Sequence, residues 1–130
     1  MSHLSHTTDY VNNSFPFPTL TKIHGYPTFV SLLKLKNQLK TNAKSVSSDL
    51  GGGALGHLGL VLTPEEYALV SDTPFVFPNR PDDFDLPRNT APDEAMILQE
   101  MYYNEVKNFR EAVEVQKALL KQIIFIQHPH

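Results

Sequence analysis

The chain has 130 residues, 41% of them hydrophobic, and a net charge of −3, which suits one domain burying about two-thirds of the surface its unfolded chain exposes. It contains no cysteine, so disulfides, thiolate nucleophiles and cysteine-based zinc knuckles are excluded within these residues. No apolar run approaches the ~18 residues of a membrane span and the N-terminus lacks a signal-peptide pattern, so an intracellular, cytoplasmic protein without a membrane partner is expected.

The charges are unevenly placed. Residues 1–50 hold five Lys and two Asp, whereas residues 51–130 hold six Lys or Arg and twelve Asp or Glu. Only the first half attracts polyanions, and its surplus is small beside the basic footprint of a dedicated nucleic-acid binder.

Residues 1–20 are rich in Ser, Thr, Asn and His, contain Phe15-Pro16-Phe17-Pro18, and show no helical or alternating period. They are expected to form a flexible arm. A first helix is expected over about 28–41, with Pro27 beside its start and Phe29, Leu32, Leu33, Leu39 and Ala43 on one apolar face. Its lysines Lys34, Lys36, Lys40 and Lys44 are candidate RNA-contacting residues, against the plainer expectation of a solvated face.

Ser45 to Gly53 break that helix, because glycine costs about 1 kcal/mol relative to alanine in a helix interior. Gly51-Gly52-Gly53-Ala54-Leu55-Gly56 formally fits a dinucleotide fingerprint, but no strand precedes it and no helix opens at its end. No cofactor is expected there. Thr63-Pro64-Glu65-Glu66 then supplies a capping box with an early proline, predicting a short helix over 64–70.

Four prolines in residues 71–90 prevent a helix and predict an extended strap, pinned across the helices by Phe75, Phe77 and Phe84. A long helix is expected over about 91–126, opened by the Thr90 hydroxyl, Pro92 and the carboxylates of Asp93 and Glu94. Leu98, Tyr102, Val106, Phe109, Val113, Leu120 and Ile124 trace its apolar stripe, and Glu100, Lys107, Glu111, Glu114 and Lys121 its polar side. Its end, Ile123-Ile124-Phe125-Ile126, is apolar all round. The candidate interface is therefore Phe109, Val113, Leu120, Ile123, Ile124, Phe125 and Ile126, ahead of a tail at 127–130.

No catalytic or metal-ligating set emerges. The six histidines match no helical ligand pattern, and His57 has no local Ser or Asp to make it a general base. Asp82, Asp83 and Asp85 lack the glycine and terminal glutamate of a calcium loop. The residues thus describe a mainly α, non-enzymatic protein with no identified small-molecule substrate.

Taken in order, Leu20-Thr21-Lys22-Ile23, Gly25-Tyr26-Pro27-Thr28, Leu39, Asn42-Ala43, Gly51-Gly52-Gly53, Gly56-His57-Leu58-Gly59-Leu60, Glu66-Tyr67-Ala68 and Thr73-Pro74-Phe75-Val76 before Pro78 and Pro81 resemble the N-terminal part of Gag-like proteins of copia-type LTR retrotransposons, particularly the diatom and algal type. The resemblance covers residues 20–126 and makes residues 21–126 a partial helical Gag-like domain. It implies a structural, capsid-forming role, with self-association or downstream Gag helices covering the apolar C-terminal end, and element RNA as a further partner. The chain departs from the pattern by ending before those helices, as a truncated copy would. A small helical adaptor that presents the strap or the long helix to another protein is the alternative.

Overall fold

The computed structural model describes residues 3–127, and among these it is helical without a strand. Four α-helices follow one another: α1 His3–Ser14, α2 Phe29–Ser45, α3 Pro64–Ala68 and α4 Pro92–Gln127. Two single 3₁₀ turns, Leu50–Gly52 and Leu58–Leu60, lie between α2 and α3. Beyond Gln127, the expected tail falls outside the described residues.

The expected mainly α class with a long C-terminal helix is what the chain adopts. The helix starts are set by local chemistry. Thr28 caps α2, its Oγ1 accepting from Ser31 N at 3.1 Å while Thr28 N donates to Ser31 Oγ at 2.8 Å. Thr63 and Glu66 make the reciprocal pair at the start of α3, at 3.0 and 3.1 Å. In each case orphan N–H groups of a first turn gain side-chain acceptors. α4 has 36 residues and, at 1.5 Å per residue, extends about 54 Å. Its opening differs from expectation, since the Thr90 hydroxyl donates back to the Pro87 carbonyl instead of capping the helix.

The element ends differ too. α2 runs to Ser45 and not to 41, because Asn42 and Ala43 are fully buried and held by the core. α3 stops at Ala68 and not at 70, where Leu69 and Val70 close 3₁₀-type bonds onto Glu66 and Tyr67.

The main correction concerns residues 1–20. From His3 onward this segment is no arm, because α1 packs along α4 and Val11, Phe15 and Leu20 are buried. Val11 and Phe15 join Ala43, Val46, Val115 and Leu119 in one cluster, with Leu39, Leu60, Val61 and Ala118 around it. The core therefore lies where α1, α2 and the C-terminal half of α4 meet. The arm was expected because its apolar residues are few and widely spaced. Polar contacts add to this apolar docking: the buried Asn42 accepts from Phe17 N at 2.8 Å and donates to Phe17 O at 2.8 Å, and Gln38 binds Thr21 through both amide atoms at 3.0 and 2.8 Å.

The stripe on α4 is also displaced. Leu98, Tyr102, Val106, Phe109 and Val113 are half-buried, but Leu120 and Ile124 face outward while Ala112, Val115 and Leu119 take the core. Glu114, expected on the polar side, is buried, with Lys117 Nζ 3.9 Å away. The C-terminal half of α4 is covered from two sides, by α1 and α2, so its buried arc is wider than a single stripe and turned from it. On α2, likewise, Leu39 and Ala43 pack inward but Phe29, Leu32 and Leu33 do not.

Candidate functional site

Two features stand out: the glycine and histidine block between α2 and the strap, and the apolar surfaces left open at the two ends of the fold. The block is a closed knot of packing. Tyr67, 2% exposed, donates its hydroxyl to Gly51 O at 2.7 Å, and Ser71 Oγ donates to the same oxygen at 3.1 Å. Phe75 packs on Tyr67 at 5.9 Å and edge-on to His57 at 6.3 Å between ring centroids.

The glycines let these rings close in. A Cβ on Gly51 would strike the Tyr67 hydroxyl, one on Gly59 the Phe75 ring, and one on Gly56 the Lys44 and Val46 carbonyls. Gly51 and Gly56 also hold φ of 60° and 55°, a region that side chains beyond glycine enter at a cost. Tyr67 and Phe75 thus fill the space beside Gly51 and Gly59.

His57 is the most enclosed titratable group. Its backbone N–H donates to Ala43 O at 2.9 Å, and its Nδ1 lies 2.7 Å from Val46 O. A carbonyl only accepts, so Nδ1 carries the proton. Nε2 is buried without a hydrogen-bond partner. Burial pushes the imidazole below its ordinary range, with the Val46 hydrogen bond opposing, and the neutral ring ties the end of α2 to the second 3₁₀ turn. Sequence alone left its partners unknown because Val46 contributes only a backbone oxygen.

The candidate RNA-contacting lysines do not form one stripe. Lys36 pairs with Glu66 at 2.7 Å, and this pairing, with the Thr63 N–H bond, holds the Glu66 carboxyl down at about 2. Lys34 and Lys44 are exposed and Lys40 is half-buried. At ~100° per residue, Lys34 and Lys36 point about 160° apart around α2.

The candidate interface residues divide. Phe109 and Val113 are half-buried along the middle of α4, while Leu120, Ile124 and Phe125 are exposed. Lys22 Nζ stands 5.4 Å over the Phe125 ring, a cation–π contact. Ile123 and Ile126 line an apolar groove of about 680 Å³ with Leu20, Ile23, Leu32, Leu35 and Leu39.

Two surfaces were missed by the sequence reading. Tyr26 and Phe29 are 95% and 79% exposed, and Val30, Leu32 and Leu33 continue that surface along α2. Far along the molecule, Met96, Ile97, Met101 and Tyr103 are exposed on the N-terminal half of α4, whose other side meets the strap through Phe84 on Tyr102 at 5.2 Å. On α2, Phe29, Leu32 and Leu33 were expected on one apolar face with Leu39 and Ala43, and the structure leaves that end of the face open with Val30 beside it.

No family model, curated protein or solved structure matches the chain. No helix among the described residues is long and apolar enough to cross a membrane.

Proposed function

We propose that this chain is a structural, non-catalytic self-association segment of Gag-like, capsid-forming type, contributed to a retrotransposon particle in the cytoplasm. One observation carries it. A compact monomer of 14.7 kDa exposes about 6,900 Å², whereas this chain exposes 9388 Å².

The surplus of about 2,500 Å² is of the size that one partner of a large obligate interface buries, about 1,000–2,500 Å². Exposed apolar side chains mark where it lies, and apolar patches of this kind are interaction surfaces more often than free ones. A structural role is further supported by the knot around His57, whose histidine, tyrosine and glycines are committed to packing. The Gag-like assignment itself rests on the motif order quoted above, and the knot gives those motifs a common purpose: Gly51, Gly56, His57, Gly59, Tyr67 and Phe75 build one unit.

Light scattering over a wide concentration range tests the proposal. A mass that climbs above 14.7 kDa with concentration is expected; a monomer throughout would overturn it.

A further inference from the structure

The two exposed apolar surfaces carry opposite charge. Residues 20–46 hold Lys22, Lys34, Lys36, Lys40 and Lys44 and no acidic residue; Lys36 is neutralised by Glu66, while Lys34 and Lys40 make no ion pair among the described residues. The exposed arc of α4 carries Asp93, Glu94, Glu100 and Glu105 beside Met96, Ile97, Met101 and Tyr103, and residues 92–105 contain no Lys or Arg. None of these four carboxylates makes an ion pair among the described residues.

Within one chain these surfaces cannot meet. The groove shared by Leu32, Leu35, Ile123 and Ile126 places the start of α2 at the C-terminal end of α4. Met101 lies 22 positions before Ile123 on the same helix, about 33 Å away at 1.5 Å per residue.

Resting on the self-association proposed above, we infer that the exposed N-terminal half of α4 in one copy docks on the exposed face of α2 in a second copy. Met96, Ile97 and Met101 meet Phe29, Val30 and Leu33 there, with Glu94, Glu100 and Glu105 facing Lys34 and Lys40. The receiving face includes a shallow trough of about 380 Å³ between Phe17 and the Val30, Leu33, Lys34 and Asn37 side chains. Its apolar floor with a cationic margin suits an acidic amphipathic helix, which this chain itself supplies. The surplus area is large enough for both halves of such a contact.

Because the two patches differ, the contact is heterologous. Each bound copy still offers one free patch of either kind, so association continues to a ring or filament and does not stop at a symmetric dimer.

Two variants test this in sedimentation velocity. Leu33→Glu with Lys34→Glu disables the α2 face, and Ile97→Lys with Met101→Lys disables the α4 face; all four side chains are exposed, and far-UV spectra check that both fold. The wild-type chain is expected to pass beyond dimer, each variant alone to stay at 14.7 kDa, and an equimolar mixture to form a species of twice that mass and none larger. If the wild-type chain associates but either variant alone associates equally, or the mixture stays monomeric, this inference falls while self-association stands. A loss confined to the α2 variant also overturns it, because the α2 face would then meet a surface of the second copy other than the N-terminal half of α4. A wild-type chain that never leaves the monomer overturns both.

Discussion

Asn42 and Gln122 join their side-chain amides across α2 and α4, with Asn42 Nδ2 donating to Gln122 Oε1 at 3.0 Å. Both amides also donate to the Phe17 carbonyl, each at 2.8 Å. One peptide group of the N-terminal segment is thereby gripped by two helices. Asn42 is fully buried whereas Gln122 is half-buried, so the two substitutions should differ.

Asn42→Ala leaves Phe17 N without its acceptor and is expected to cost about 2–4 kcal/mol, against about 1 kcal/mol for Gln122→Ala. Urea unfolding gives both numbers. Amide exchange should show Phe17 to Thr21 opening first in the Asn42 variant. Equal, negligible effects would mean that residues 15–20 are held by Val11, Phe15 and Leu20 alone.

Gly59 is kept small by Phe75. Gly59→Ala is expected to destabilise by about 1–3 kcal/mol through overpacking. Combined with Phe75→Ala, it should cost less than the sum of the two singles, because the second change removes the group that the new methyl strikes. Strict additivity in the double-mutant cycle would show that the two positions do not meet.

His57 and Glu66 should give stability separate acid limbs. His57 is pushed below its ordinary value by burial, so the unfolded chain takes the proton first. The contribution of neutral His57 is complete above about pH 6.5 and declines as pH falls from there towards its folded value. Glu66, held at about 2 by Lys36 and Thr63, contributes fully above the ordinary glutamate value and loses that contribution only in stronger acid. Urea midpoints measured from about pH 7 to 5 should therefore fall in the wild-type chain and flatten in His57→Gln. An unchanged slope in the variant would remove His57 as the cause.

RNA affinity, where the isolated chain shows any, should depend weakly on salt. Lys36 is engaged by Glu66, which leaves three of the four candidate lysines. For single-stranded RNA the slope of log affinity against log salt should then be no steeper than about −2. A slope beyond about −3 would require Lys36 to leave Glu66 or other cations to join.

Helix α3 was legible from the capping box of Thr63-Pro64-Glu65-Glu66, and α4 from its long run without Gly or Pro, although the Thr90 hydroxyl does not cap it. What stayed hidden were buried polar side chains. The sequence assigned Gln38 and Asn42 no partner, yet their amides hold residues 17–21, mostly through main-chain atoms, which no side-chain pattern reveals. The outward turn of Phe29 and Leu33 was hidden for a related reason: apolar spacing shows which residues share a face but not which face meets the core. In the glycine and histidine block, the lack of a strand before the glycines and of a helix opening at their end was legible, but the packing of Tyr67 and Phe75 on Gly51 and Gly59 needed the fold.

Self-association through the open surfaces is tested most directly by hydrogen exchange on the wild-type chain at rising concentration. Amides in residues 29–35 and 96–103 should gain protection as concentration increases, while those around the buried Ala43 and Val115 hold constant. Protection in both segments that is independent of concentration, up to the solubility limit, would contradict it.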